Sequence, residues 1–170
     1  SIAVEGLKRG NIRLGDGNDT LALGVEANNA DGGKTIYAST GGGDDTITVR
    51  ATATDYFAGA YDGRWTSTVI DAGSGDDTIT GWRSADSVDG GAGSDVFVLH
   101  GLRAGYSIST ANGVTTLIDT NLADGNDGTD TLRNVETLRF GDGSTVSLVA
   151  VNHAPVVKAS AATVTEDQVS

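Results

Sequence analysis

The feature that most constrains this chain is a repeat. The segments GDGNDTL (Gly15 to Leu21), GGGDDTI (Gly41 to Ile47), GSGDDTI (Gly73 to Ile79) and GAGSDVF (Gly91 to Phe97) share one frame, G-x-G-x-D-x-U, where U is a large apolar residue. A fixed period decides architecture before any single element does, because each unit must bury its apolar face against a copy of itself. Short apolar stretches holding Ile12, Ile36 or Ala38, and Ile70 run just ahead of the glycines. Each unit therefore reads as strand, glycine turn, strand. Between Gly63 and Val98 the register is strict: GRWTSTVID, AGSGDDTIT, GWRSADSVD and GGAGSDVFV are successive nine-residue units. Their eighth position is Ile70, Ile79, Val88 and Phe97, and their sixth is Thr68, Asp77, Asp86 and Asp95. Asp19, Asp45 and Asp77 are spaced by 26 and 32 residues, which are 18 plus 8 and 18 plus 14, so insertions interrupt the period upstream.

Two nonads per coil, each a six-residue turn and a three-residue strand, bring the chain back to the same edge every eighteen residues. The expected fold class is all-β, a parallel β-roll or β-solenoid. Asp19, Asp45, Asp77 and Asp95 then share one regular edge, while Gly24 to Lys34, Arg50 to Arg64 and Gly81 to Asp89 form a variable one. Insertions confined to one face are where solenoids keep specific binding surface. Three-residue strands bury little apolar area, so the residues at position eight cannot stabilise the fold alone.

Turn chemistry supplies the remainder. Glycine at alternate positions reaches backbone angles closed to other residues and turns carbonyls toward a concavity. Aspartate at position six adds a carboxylate. Calcium takes about six to eight hard oxygen ligands at roughly 2.3–2.6 Å in a tolerant geometry, whereas magnesium demands a tight octahedron and keeps its waters. Carbonyls of one coil with an aspartate of the next suit calcium. Four stacked turns leave three gaps, so at least three calcium ions are expected.

This frame resembles the calcium-binding nonapeptide G-G-x-G-x-D-x-U-x of repeats-in-toxin (RTX) proteins of the haemolysin type, from about Asn11 to Val98. The resemblance implies a ligand set of glycine carbonyls and position-six aspartates: Gly15, Gly17 and Asp19; Gly41, Gly43 and Asp45; Gly73, Gly75 and Asp77; Gly91, Gly93 and Asp95. It also implies a protein that leaves the cell by type I secretion and folds on meeting extracellular calcium, either secreted or held at the bacterial surface. Three turns depart from the motif at position one, with Leu14, Thr40 and Ala72, and the Gly81 to Asp89 turn is degenerate, with Trp82 and Ser84 where the motif has glycine. A second calcium ladder on the opposite edge is therefore not expected.

After Val98 the pattern changes. Tyr106 to Ser109 and Val114 to Ile118 alternate around Asn112-Gly113, the dipeptide of a tight hairpin turn. DGTDTLRNVETLRFGDG follows, with apolar Leu132, Val135, Leu138 and Phe140, and is similar to the segment that often follows RTX repeats in secreted bacterial proteins. A solenoid must shield its last coil from water and from edge pairing, so residues 99–150 are expected to cap the roll of residues 1–98. Asp124, Asn126, Asp127 and Asp130 are candidates for one more ion. Residues 151–170 contain the single proline and read as a linker, resembling the start of cadherin-like or immunoglobulin-like repeats of large adhesins. Neighbouring domains of a longer chain are then expected.

Composition narrows the partners. Nineteen aspartates against four glutamates and eleven basic residues give a net charge of -12, which opposes nucleic acid and anionic lipid and favours cations. The absence of cysteine excludes disulfides and thiolate metal sites, and no apolar run is long enough to cross a bilayer. His100 and His153, the two histidines, stand near no G-x-S-x-G serine, and the phosphate-loop and H-E-x-x-H motifs are missing, so no enzyme activity is expected. The expected function is a calcium-binding structural module of a secreted RTX protein, within a surface or biofilm adhesin. The alternatives are the stabilising and secretion module of a secreted protease, lipase or epimerase, and a carbohydrate- or surface-binding patch around Tyr56, Phe57, Tyr61, Trp65 and Trp82.

Overall fold

A computed structural model of the chain describes residues 1–7, 9–25, 35–51, 67–83, 85–123 and 127–148. Among the described residues fourteen strands form two sheets. The first seven-stranded sheet is built from β1 (Ile2–Leu7), β3 (Thr20–Val25), β5 (Thr46–Ala51), β7 (Thr78–Thr80), β9 (Val96–Val98), β13 (Thr137–Arg139) and β14 (Thr145–Ser147), in that spatial order. The second holds β2 (Gly10–Arg13), β4 (Thr35–Ser39), β6 (Ser67–Asp71), β8 (Ser87–Asp89), β12 (Thr129–Arg133), β11 (Val114–Asp119) and β10 (Tyr106–Ala111). From β1 to β9 the chain alternates between the sheets, and every pairing among these strands is parallel. This is the expected parallel β-roll.

The nine-residue register explains the alternation. Ile70 and Val88 face inward from the second sheet and are paired, while Ile79 and Phe97 do the same from the first. One nonad thus carries the chain across the roll and two return it. Leu21, Ile47, Ile79, Phe97 and Leu138 stack in one inner row against Ala38, Ile70, Val88 and Leu132 in the other, all buried. Pairing also settles which residue of β4 matches Ile70: it is Ala38, whereas Ile36 pairs with Thr68. Strands β7 to β9 have the expected three residues, but β3 to β6 run to five or six, and their extra inward residues Leu23, Val25 and Val49 thicken the core.

Two edges result. Turns after β2, β4, β6 and β8 carry the glycine motif, and the connections after β3, β5 and β7 lie opposite. The insertions of the variable edge fall mainly on residues 26–34 and 52–66, outside the described residues.

The roll closes where pairing turns antiparallel. Asn112 (φ 52) and Gly113 (φ 75) make the hairpin between β10 and β11 in the left-handed conformation such turns require. β11 pairs antiparallel with β12, and β12 and β13 add a last coil in parallel register, with Leu132 beside Val88 and Leu138 beside Phe97. β14 folds back antiparallel on β13. Tyr106 ties the chain leaving β9 to the segment entering β12: its hydroxyl accepts the Gly101 N–H at 2.9 Å and donates to Asp127. The linker segment from residue 149 onward lies outside the described residues.

Candidate metal centre

Each glycine turn stacks on its neighbour residue for residue. Asp16, Gly42, Ser74 and Ala92, at position three, form a continuous file of parallel bridges. The approach is close enough to demand glycine on either side of them. A Cβ on Gly73 (φ 105) would lie 1.8 Å from the Gly41 oxygen, and one on Gly91 (φ 98) 1.9 Å from that of Gly73. Gly75 and Gly93 approach the Gly43 and Gly75 oxygens in the same way, at 2.3 and 2.0 Å. These carbonyls therefore point along the roll axis to the next coil rather than into a single turn. Gly15 and Gly17, at the first turn, have nothing within 4 Å of a Cβ, and Gly15 does not carry the positive φ of Gly17.

The position-six aspartates form a ladder along this edge. Asp45 Oδ1 accepts the Asp19 N–H at 2.8 Å, Asp77 Oδ1 accepts the Asp45 N–H at 2.7 Å, and Asp95 Oδ1 accepts the Asp77 N–H at 2.9 Å. Each carboxylate thus reaches back to the preceding coil with one oxygen. The second oxygens, Oδ2 of Asp45, Asp77 and Asp95, are buried and have no hydrogen-bond partner. An unpaired buried carboxylate oxygen is costly unless a cation or a proton meets it. Burial pushes the Asp95 carboxyl up to about 7, with the charges of Asp77 and Glu136 adding to the rise. Burial also raises that of Asp77, with Asp45 and Asp44 adding like charge. Asp19, at the open end, is only half-buried.

Among the described residues no three Asp, Glu or His side chains converge on one point. The oxygens available are one carboxylate per coil together with main-chain carbonyls. That donor set suits a hard cation with many neutral oxygen ligands, which is calcium, and fits magnesium poorly.

Asp44 and Asp76 form a second file on the exposed side. Asn18 Oδ1 accepts the Asp44 N–H at 3.0 Å, Asp44 Oδ1 the Asp76 N–H at 3.0 Å, and Asp76 Oδ1 the Ser94 N–H at 2.9 Å. Here each acceptor holds the following coil, so the two files clamp every gap in opposite directions. Two further acids extend the ladders. Glu136 Oε2 accepts the Asp95 N–H at 2.8 Å, and on the opposite edge Asp130 Oδ1 accepts the Asp86 N–H at 2.9 Å. The signal was present, since Asp130-Thr131-Leu132 and Glu136-Thr137-Leu138 repeat the acid-x-apolar end of the motif.

The opposite edge has a shorter ladder. Asp86 Oδ1 accepts both the Thr68 N–H, at 3.2 Å, and its hydroxyl, at 2.6 Å, but Ile36 and Gly10 occupy the Thr68 row further up. Burial, with the charge of Asp86, raises the Asp130 carboxyl well above its ordinary range. Of the extra ion site sought around residues 124–130, Asp124 and Asn126 fall outside the described residues. Asp127 accepts from Tyr106 and the His100 N–H, while Asp130 is held by Asp86. Of the aromatic group at the variable edge, Trp82 packs edge-on against His100, with ring centroids 4.1 Å apart; Tyr56, Phe57, Tyr61 and Trp65 lie outside the described residues.

Residues 62–97 match the family model of the RTX calcium-binding nonapeptide repeat, in four copies. The chain carries RTX repeats. The matched stretch contains Asp77 and Asp95 of the ladder and Asp86 of the opposite edge, so the RTX register and the observed pairing agree. No curated protein matches the chain. Among the described residues no helix is long and apolar enough to cross a membrane.

Proposed function

We propose that this RTX segment is a structural module that folds on binding calcium outside the cell, without catalytic activity of its own, as part of a secreted or surface-attached bacterial adhesin. The observation that supports it best is the row of buried, unpartnered oxygens at Asp45, Asp77 and Asp95. A metal-free roll must hold those charges in a desolvated file beside one another. The ligands would be the carboxylates of Asp19, Asp45, Asp77 and Asp95 with the carbonyls of Gly15, Gly17, Gly41, Gly43, Gly73, Gly75, Gly91 and Gly93. One ion per gap gives at least three.

The energetics follow from linkage. A site filled at about 100 times its dissociation constant stabilises the fold by about 2.7 kcal/mol, so three contribute about 8 kcal/mol. That is comparable to the whole stability of a domain, about 5–15 kcal/mol. Three divalent ions would also move the net charge from -12 to about -6, relieving the repulsion that keeps the metal-free chain expanded. Low cytoplasmic calcium would then leave the chain secretion-competent, and external calcium would fold it. The test is circular dichroism at pH 8 with calcium and with excess chelator: at that pH β-signal should appear only with calcium, and a chain that keeps its full β-structure in chelator sinks the proposal.

A further inference from the structure

We propose that the calcium file runs one gap beyond the glycine turns, into the cap, where Glu136 supplies the carboxylate of a further cation site. This step rests on the calcium reading above. The hydrogen bond from the Asp95 N–H to Glu136 Oε2, at 2.8 Å, repeats the bond by which each aspartate of the ladder holds the coil before it. The last turn is short: β12 ends at Arg133 and β13 begins at Thr137, whereas β6 ends at Asp71 and β7 begins only at Thr78. A shorter turn starts the side chain further back, and glutamate has the extra methylene to cover that reach. Aspartate occupies position six in every full-length glycine turn, and glutamate occurs only here.

A second observation points to a ligand in the same gap. Asp95 is fully buried, and its Oδ2 has no hydrogen-bond partner. That oxygen and the Asn134 carbonyl both converge on Gly90, where an added Cβ would lie 2.6 Å from the first and 2.2 Å from the second. The three earlier turns place Leu14, Thr40 and Ala72 at this position, so glycine here is what lets the Asp95 carboxylate and the Asn134 carbonyl come this close to the backbone. Asn134 adopts φ 48, a left-handed conformation that asparagine tolerates better than most residues. The donors are thus two carboxylates, Asp95 and Glu136, and the Asn134 carbonyl. They suit calcium, which accepts a mixed set of charged and neutral oxygens and fills its shell with water.

Native mass spectrometry of the full chain against rising calcium tests this. Glu136→Gln keeps an acceptor for the Asp95 N–H and removes the charge, so the chain should bind one calcium fewer than the wild type while the ions between the glycine turns remain. Glu136→Asp keeps the charge but shortens the reach, and should reach the wild-type count only at a calcium concentration at least tenfold higher. It stays informative if the glutamine variant fails to fold. Variants that both bind the wild-type number of ions at the wild-type concentration overturn the site. A wild-type chain that binds no calcium overturns the earlier reading instead, so the two failures are distinguishable.

Discussion

Acid should favour the metal-free fold, and the ladder fixes both the direction and the size of the effect. Burial raises the Asp95 carboxyl to about 7 in the fold, against 3.8 for an ordinary aspartate. A group whose folded value is raised favours the fold in its protonated form. Its contribution therefore grows as pH falls below about 7 and is complete near 3.8, where the unfolded chain also takes up the proton. The difference of about 3 units corresponds to about 4 kcal/mol at full weight, and screening by water at the roll edge reduces this to about 2 kcal/mol. Asp77 and Asp130 are raised in the same direction by burial and add to it. Metal-free protein should thus gain β-signal by circular dichroism between pH 8 and pH 5, with no calcium added. Asp95→Asn separates the ladder from general charge neutralisation, because it keeps the acceptor for the Asp77 N–H while removing the titrating group. Without metal at pH 8 that variant should favour the fold by about 30-fold over the wild type, and its pH dependence should be shallower. A wild-type β-signal that is equal or weaker at pH 5 would refute the desolvated ladder.

Four further outcomes follow from the packing. Gly73→Ala, with positive φ and a Cβ 1.8 Å from the Gly41 oxygen, should cost at least about 2 kcal/mol in calcium-saturated denaturant unfolding. Gly15→Ala, which meets nothing within 4 Å and needs no left-handed angle, should change stability by less than about 1 kcal/mol in the same assay. Phe97→Ala removes the largest fully buried side chain among the described residues and should cost about 3–5 kcal/mol by the same measurement. Gly113→Val places a β-branched residue at φ 75 in the capping hairpin and should lower the thermal midpoint of the calcium-bound protein by several degrees, about 1–2 kcal/mol.

The roll was legible in the sequence because a parallel solenoid writes each inter-coil contact as a fixed offset along the chain. The eighteen-residue coil, the edge that carries the aspartates and the inner rows of Ile70, Val88, Ile79 and Phe97 all follow from that offset. Legibility failed where the offset changed or where different residue types filled the same role. The step from Asp130 to Glu136 is six residues rather than nine, since the turn between β12 and β13 is cut short, so the nine-residue frame does not reveal that these acids extend the two ladders. Asn18, Asp44, Asp76 and Ser94 share position five, but their identities read as ordinary turn chemistry until the amides of neighbouring coils are seen to be held by three of them. The choice between Ile36 and Ala38 needed the pairing of β4 with β6, because an insertion that breaks the period precedes each of these strands. A common cause joins these cases. In this architecture the position-six side chains bond to the coil before and the position-five side chains to the coil after, so a residue's role is fixed by a neighbour 18, 26, 32 or 41 positions away. The glycines tell where coils touch; only the hydrogen-bond direction tells which coil each acid serves, and that direction makes Asp19 the open end of the file and Glu136 its closed one.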